Sequence, residues 1–225
     1  MWKSNNQDGS GSGVYGQRYA ANGTTVGGEF RVNVTTSGNQ LSPSVAGLKD
    51  GGFIATWTAD TPSDGSGYAV FARRYDAGGN PVSGEFQVNA TTASYQYFST
   101  ATGLADGGFA LGWMSLGQDG NGMGSYLRRY AADGSPLSGE IQLNQYTSSD
   151  QFMPQLGMRE DGGLVATWMS YQQDGSGWGV YARIITGAGA ALAVNEDTPL
   201  AISGVSVADI DAGAAGVALT LSAAH

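Results

Sequence analysis

The stretch that decides the fold is Asp50-Gly51-Gly52-Phe53-Ile54-Ala55-Thr56-Trp57. Asp-Gly followed by Gly is a strong signal for a tight hairpin, because these residues adopt positive φ at little cost. The run that follows is apolar or small on both alternating faces, which is typical of a strand buried on both sides. We therefore expect a hairpin whose second strand carries Trp57 into the interior of a β-protein.

The tryptophan of this stretch recurs with spacings of 55, 56 and 55 residues, at Trp2, Trp57, Trp113 and Trp168. Four other features recur with it: the aspartate of an Asp-Gly-Ser/Asn-Gly loop, an arginine, a Gly-Glu glutamate, and an asparagine after an apolar residue. They are Asp8, Asp64, Asp119 and Asp174; Arg18, Arg74, Arg129 and Arg183; Glu29, Glu85 and Glu140; and Asn33, Asn89, Asn144 and Asn195. Such self-similarity is the signature of a repeat architecture.

One repeat contains four predicted strands, which in the copy from 41 to 89 lie at 44–48, 53–57, 70–75 and 85–89. Turns rich in Gly, Asn and Asp join them, and no apolar pattern keeps a helical period. The prediction is an all-β, propeller-like array of four-stranded antiparallel blades with a period of about 55 residues. Stacked β-solenoid coils are the main alternative, although such coils are usually shorter. The first copy lacks its leading strand, and the last has a degraded final strand at 190–195.

Composition narrows the classes of partner and chemistry. The chain has 225 residues with a net charge of −9, so it lacks the clustered cations that nucleic acid or anionic lipid would need. The absence of cysteine excludes disulfides and thiol nucleophiles. No apolar run reaches the length of a membrane span, and residues 1–20 lack the pattern of a secretory signal.

The repeat changes near its end, since Asn144 and Asn195 are only 51 residues apart. We assign residues 1–194 to the propeller-like repeats, three to four blades with the first and last incomplete. Residues 195–225 are assigned to a second, truncated Ig-like β segment. The chain opens in mid-repeat, so we interpret it as a fragment whose export signal lies outside it.

At these residues the chain resembles a known class. The units Asp-Gly-Gly-apolar-x-x-x-Trp, Asp-Gly-Ser-Gly-x-x-Val-Tyr-x-x-Arg and Gly-Glu-Phe-x-Val-Asn resemble tandem repeats of large secreted bacterial RTX and type I secretion proteins. The segment from Asn195-Glu196-Asp197-Thr198-Pro199 to Asp209-Ile210-Asp211-Ala212-Gly213 resembles the start of their cadherin-like repeats. The resemblance implies an extracellular or surface-attached adhesin that folds outside the cell with calcium. The glycine-rich nonapeptide calcium repeats of that class are absent here.

Charged residues of the repeat favour structural roles. Arg18 with Glu29, and Arg74 with Glu85, lie eleven residues apart across a predicted hairpin, which favours cross-strand ion pairing over substrate binding. Each Asp-Gly-Ser/Asn-Gly loop carries one carboxylate, which is too few to hold calcium. We expect this aspartate instead to cap its own turn by accepting a hydrogen bond from the backbone amide two residues further on.

Two sets of residues are candidate ligand contacts. Directly after each Asp-Gly-Ser/Asn-Gly loop the copies diverge to Ser12, Tyr68, Met123 and Trp178. Because such loops project from one face of a propeller, Tyr68, Met123 and Trp178 are predicted to contact a glycan or peptide, or else to cover a neighbouring blade. An aromatic cluster between two repeats, Tyr95, Tyr97 and Phe98, carries the same two interpretations.

A calcium ion is predicted at the domain junction. Glu196, Asp197, Asp209 and Asp211 could gather around one ion that stiffens a stalk, and the alternative is a polar loop. No other cofactor is expected.

Catalysis has little support, because His225 is terminal and the chain has no thiol. The predicted function is a non-catalytic structural and binding module of an extracellular adhesin-like protein, whose partners are a glycan or cell-surface ligand and neighbouring repeats. A propeller-type glycoside hydrolase using Asp150 or Glu160 is the alternative from another class. A purely architectural spacer is the third.

Overall fold

The computed structural model describes residues 1–60 and 67–185, and within these ranges every regular element is a β-strand. In chain order the strands are β1 (Trp2–Asn5), β2 (Ser12–Tyr19), β3 (Thr25–Arg31), β4 (Gln40–Gly47), β5 (Phe53–Ala59), β6 (Ala69–Tyr75), β7 (Phe86–Gln87), β8 (Gln96–Gly103), β9 (Phe109–Leu116), β10 (Met123–Tyr130), β11 (Ile141–Gln142), β12 (Gln151–Met158), β13 (Leu164–Tyr171) and β14 (Trp178–Ile185).

The strands form four antiparallel sheets in which hydrogen-bonded neighbours follow the order of the chain. Sheet 1 contains β1 to β3, sheet 2 contains β4 to β7, sheet 3 contains β8 to β11, and sheet 4 contains β12 to β14. The four strands predicted for the repeat are confirmed in sheets 2 and 3. Sheet 1 begins at the tryptophan strand β1.

The turn before Phe53 shows why the local sequence produces a hairpin. The amide of Gly51 donates to the carbonyl of Leu48 at 3.0 Å, and Gly51 has a φ of 83°. The carboxylate of Asp50 accepts from the amide of Gly52 at 2.9 Å. A Cβ atom on Gly52 would lie 2.3 Å from the carbonyl oxygen of Tyr75, so this position excludes any side chain.

Successive sheets stack face to face, as blades do in a propeller. The leading strand β8 of sheet 3 contacts both β4 of sheet 2 and β12 of sheet 4. Trp57, Trp113 and Trp168 lie on the second strand of their sheets and are buried between neighbours. This antiparallel arrangement confirms the all-β, propeller-like array and excludes a continuous parallel solenoid ladder for the described residues.

The core therefore consists of successive inter-sheet layers. Between sheets 2 and 3, Ile54 and Val70 pack against Phe109, Leu111 and Trp113. On the opposite face of sheet 3, a second layer packs against sheet 4, with Leu127 and Leu143 against Ala166 and Trp168. β9 is buried on both faces because each face meets a different sheet.

Three sequence predictions about the fold fall outside the described residues. They are the degraded final strand at 190–195, the domain boundary between 194 and 195, and the truncated Ig-like segment. The described residues contain no helix long and apolar enough to cross a membrane.

Candidate functional site

The leading strands of sheets 2, 3 and 4 carry the same irregularity, a β-bulge opposite the tryptophan strand. Each bulge holds one non-glycine residue in the left-handed region: Ser42 at 50°, Phe98 at 54° and Met153 at 53°. A bulky residue such as phenylalanine in this conformation costs about 1 to 3 kcal/mol. Bulges of this kind re-aim side chains and are common beside binding sites.

The preceding sheet holds each aromatic or methionine bulge in place. The amide of Phe98 donates to Oγ1 of Thr58 at 3.2 Å, and the amide of Met153 donates to Sδ of Met114 at 2.9 Å. Thr58 and Met114 each directly follow the repeat tryptophan. The amide that the bulge removes from the strand ladder thus gains a partner across the sheet interface.

Beside the Phe98 bulge, a cavity of about 360 Å³ lies between sheets 2 and 3. Four of its lining side chains are aromatic, and the others are small, aliphatic or hydroxylic. The lining residues are Leu41, Ser42, Thr58, Tyr68, Tyr95, Tyr97 and Phe98. We call this the aromatic cavity. It unites the loop residue Tyr68 with the cluster Tyr95, Tyr97 and Phe98, which the sequence predictions treated as two separate sites.

The rings are tilted against one another, with interplanar angles of 52° to 55°. The Tyr68 centroid lies 5.7 Å from that of Tyr95 and 6.3 Å from that of Tyr97, and Tyr97 lies 5.2 Å from Phe98. Tyr95 and Phe98 remain 45% and 41% exposed. The Tyr95 ring covers Gly67, where a Cβ atom would lie 2.1 Å from its Cε1 atom. A glycine at position 67 is therefore required for this wall of the cavity.

The aromatic cavity is a place where the symmetry of the repeat is broken. Asn39 and Asp150 occupy the position of Tyr95 in the neighbouring sheets, one residue before a buried glutamine. In both, the side chain closes the adjacent loop, because Asn39 Oδ1 accepts from the Ser12 amide at 3.2 Å and Asp150 Oδ1 accepts from the Met123 amide at 3.0 Å. At position 95 this polar cap is replaced by an aromatic ring.

The aromatic cavity is lined by uncharged side chains, and the carboxylate of Asp150 lies close enough to act on Tyr97. None of its lining side chains is charged. Burial raises the pKa of the Tyr97 hydroxyl, and the carboxylate of Asp150 raises it further. Tyr97 is therefore a neutral hydrogen-bonding group at physiological pH, and the negative potential from Asp150 disfavours anionic ligands.

The three residues predicted to contact a ligand lie in three different environments. Tyr68 lines the aromatic cavity, whereas Met123 is buried at the start of β10 with its amide bonded to Asp150. Trp178 is 46% exposed at the start of β14, away from the aromatic cavity. Its ring stacks on Phe152 at 5.1 Å and meets Tyr171 at 5.0 Å. Ligand contact remains a prediction for Tyr68 and Trp178, and burial leaves Met123 little surface for one.

The predicted pairing of arginine with glutamate is wrong for the described residues. The ion pair of Arg74 is with Asp50 in the hairpin turn of its own sheet, and the Arg18 guanidinium donates to the Ala77 carbonyl at 2.7 Å. Glu85 instead accepts from the amide of Val34 at 2.7 Å. The carboxylate satisfies backbone donors of the preceding connection, and such charge-assisted bonds are stronger than an exposed ion pair.

Glu140 repeats this contact one sheet further along. It accepts from the Ala90 amide at 2.7 Å, from Thr91 Oγ1 at 2.6 Å and from Gln118 Nε2 at 2.7 Å. Burial opposes ionisation of the carboxyl group, but the hydrogen bonds from Thr91, Ala90 and Gln118 outweigh it and lower the pKa of Glu140.

The arginine series also mixes two positions of the repeat. Arg183 pairs with Ala166, which is equivalent to the pairing of Arg73 with Ala55, so Arg183 is the counterpart of Arg73 and Arg128. These three arginines donate to a carbonyl of the preceding sheet, with distances of 3.3 to 3.4 Å to Val32, Val88 and Leu143. Their shared role is to join neighbouring sheets.

Sequence reasoning missed a polar contact that locks each sheet to the next. The repeat asparagine is buried and donates to a fully buried glutamine that opens the following sheet: Asn33 to Gln40 at 3.0 Å, Asn89 to Gln96 at 3.1 Å, and Asn144 to Gln151 at 2.8 Å. We call this contact the Asn–Gln lock. The available signal was the glutamine spacing of 56 and 55 residues.

The aspartates of the Asp-Gly-Ser/Asn-Gly loops cap their own turns, as predicted. Asp8, Asp119 and Asp174 each accept from the amide two residues on, at 3.2, 3.3 and 3.1 Å. Asp64 lies outside the described residues. No group of three or more metal-ligating side chains occurs in the parts of the chain that the structure describes. The predicted calcium ligands Glu196, Asp197, Asp209 and Asp211 lie outside those parts.

The two acids of the hydrolase alternative lie at opposite ends of one strand. Asp150 directly precedes β12 and Glu160 lies two residues after its end, so at least the eight residues of that strand separate them. At about 3.3 Å per residue this is about 26 Å, whereas glycosidase carboxyl groups lie about 5 to 9.5 Å apart. Asp150 and Glu160 therefore cannot act as a catalytic pair within this sheet.

Comparison with protein-family models and with curated proteins finds no match. Among solved structures, the chain is similar to a protein of unknown function from Dyadobacter fermentans, with 13% identity and a TM-score of 0.49 over 65% of this chain and 51% of that one. It is also similar to an endo-arabinase from Bacteroides thetaiotaomicron, with 15% identity and a TM-score of 0.47 over 72% of this chain and 63% of that one. The chain thus spans less than two thirds of the length of either structure.

Proposed function

We propose that this chain is a non-catalytic binding module of an extracellular, adhesin-like bacterial protein, and that the aromatic cavity binds a neutral glycan. The observation that carries this proposal is the aromatic cavity itself, which forms where the polar cap at position 95 is replaced by a ring. Sugars present flat C–H faces that stack on aromatic rings, and Tyr68, Tyr95 and Tyr97 carry hydroxyl groups that can hydrogen-bond to a sugar.

The size of the cavity fits a small ligand. Its volume of about 360 Å³ lies at the lower end of the range for small-molecule sites. Three stacking rings at about 0.5 to 1.5 kcal/mol each contribute about 1.5 to 4.5 kcal/mol, so we expect a Kd on the order of 1 mM or weaker. Affinity of this order is useful when many copies of a module act together on a surface.

Charge supports a neutral sugar over an acidic one. The chain carries a net charge of −9, and Asp150 is close enough to Tyr97 to raise its pKa. An acidic glycan would meet repulsion without a cation among the lining residues. A binding role is favoured over hydrolysis because the carboxyl groups of Asp150 and Glu160 are too far apart to cooperate.

A screen against immobilised neutral and acidic oligosaccharides tests the proposal. We expect a neutral glycan to bind, and Tyr68→Ala or Tyr95→Ala to weaken that binding by about tenfold, since each removes about 1.4 kcal/mol of stacking. Leu137→Ala is the control, because it removes an exposed apolar side chain that does not line the aromatic cavity. Unchanged affinity in both cavity variants would contradict the proposal, as would selective binding of proline-rich peptides.

The extracellular setting and calcium belong to the same proposal and are supported by the resemblance to secreted adhesins. In that setting the sheets also space or present a ligand-binding surface among neighbouring repeats of the parent protein. The proposed calcium site uses Glu196, Asp197, Asp209 and Asp211.

A further inference from the structure

The third strand of each sheet presents one face to the following sheet, and in sheet 4 this face is exposed. Val180 of β14 is 79% exposed, whereas Val70, at the same position of sheet 2, is 0% exposed. Along β14, the side chains that alternate onto this face are apolar and exposed. They are Trp178, Val180, Ala182 and Ile184. We call this set the trailing face.

In sheet 1 the opposite face is exposed, the one that in sheets 2 to 4 packs against the preceding sheet. Tyr19 is 63% exposed, whereas Tyr75 and Tyr130, its counterparts in sheets 2 and 3, are both 2% exposed. Trp2 is also exposed, although the other three repeat tryptophans are buried. We call Trp2 and Tyr19 the leading face. It is the surface that, in the other sheets, packs against the sheet before.

The internal interfaces show that these two faces are complementary. Between sheets 1 and 2, Val14 and Val32 of the trailing side pack with Trp57 and Tyr75 of the leading side. The Tyr75 hydroxyl also donates to the Val32 carbonyl at 3.1 Å. Val14 is the counterpart of Val180, and Trp57 and Tyr75 are the counterparts of Trp2 and Tyr19. The two exposed faces are therefore the separated halves of a contact that the chain makes three times internally.

We propose that the trailing face of one copy docks on the leading face of a second copy, so that the chain associates head to tail. The bound copy continues the inter-sheet packing already present within each chain. Two copies together supply eight sheets, and closed propellers typically contain four to eight blades. A heterologous contact of this kind closes into a ring when its rotation allows and otherwise extends into a chain.

Sedimentation velocity of the full chain over a range of concentrations provides the first test. We expect dimers or longer oligomers to form as the concentration rises. Val180→Arg places a charge on the trailing face, and Tyr19→Arg places one on the leading face. Each variant alone should therefore be monomeric, with at least tenfold weaker association. Because both residues are largely exposed, neither change should unfold the sheet that carries it.

Mixing the two variants provides the second test, because it separates head-to-tail docking from symmetric docking. The Val180→Arg protein keeps its leading face and the Tyr19→Arg protein keeps its trailing face, so an equimolar mixture should form a one-to-one heterodimer. Val82→Arg, which changes an exposed valine between β6 and β7, is the control and should associate like the unmodified chain.

Three results would overturn the inference. They are a monomer at every concentration, a single-face variant that still self-associates, and a mixture that stays monomeric. Glycan binding is measured on the aromatic cavity, and this inference does not depend on it. Failure of either proposal can thus be recognised without reference to the other.

Discussion

Replacing Asn89 with alanine should unfold the repeat array at a much lower denaturant concentration. The Asn89 side chain accepts from the Val70 amide at 2.9 Å and donates to the Thr91 carbonyl at 2.9 Å and to Gln96 Oε1 at 3.1 Å. Alanine leaves all three partners without this bond. Val70 and Gln96 are fully buried, so water cannot replace the lost bonds at those two sites.

The magnitude follows from the cost of leaving a buried polar group unpaired, about 1 to 3 kcal/mol for each. Two such groups give a loss of about 4 kcal/mol in the free energy of unfolding, against a typical total of 5 to 15 kcal/mol. With an m-value of about 2 kcal/mol per molar urea, the midpoint should fall by about 2 M. Urea unfolding followed by tryptophan fluorescence measures this shift, because Trp57 and Trp113 are buried at the interfaces on either side of sheet 2.

Asn80→Ala is the matched control, because Asn80 is exposed and, among the described residues, its side chain bonds only to Asp76 in the same turn. We expect it to cost less than about 1 kcal/mol. A double-mutant cycle between Asn89 and Gln96 should give a coupling energy of about 0.5 to 3 kcal/mol. If Asn89→Ala destabilises the chain no more than Asn80→Ala does, the Asn–Gln lock contributes nothing to inter-sheet stability and our reasoning is refuted.

Two further changes test other contacts between sheets. Glu140→Gln should destabilise the chain at neutral pH, where the ionised carboxylate accepts its hydrogen bonds. Because folding lowers the pKa of Glu140 below 4.5, the stability from this group is complete above that pH and is lost as the pH falls through the folded pKa. The difference between the unmodified chain and the variant in urea unfolding should therefore shrink as the pH falls below 4.5, and a constant difference would contradict the assignment. Gly103→Ala should cost about 1 to 3 kcal/mol, because its Cβ atom would lie 2.3 Å from the Gly47 carbonyl oxygen of sheet 2. Gly47→Ala is its control, since no atom lies within 4 Å of the added Cβ, and equal melting temperatures for the two variants would count against this close approach.

Much of the fold could be predicted from local sequence. The strand predicted at 53–57 lies within β5, and the strand predicted at 70–75 lies within β6. The Asp50-Gly51-Gly52 turn forms as expected, because turn geometry depends on a few consecutive residues and their intrinsic φ preferences. The partners of Arg74 and Glu85 could not be predicted in this way. The eleven-residue spacing suggested a hairpin pair, but the Glu85 carboxylate reaches the preceding connection at Val34.

The sequence alone determined the period, the strand order and the hairpin turn at Asp50-Gly51-Gly52, since these depend on spacing and on neighbouring residues. It also identified Tyr68 and the cluster from Tyr95 to Phe98 as candidate contacts. Only the tertiary structure decided that these residues line one cavity, because Tyr68 follows the loop of one sheet and Phe98 lies in the bulge of the next. The stacking of successive sheets brings together residues about 30 positions apart, and local patterns carry no information about such contacts.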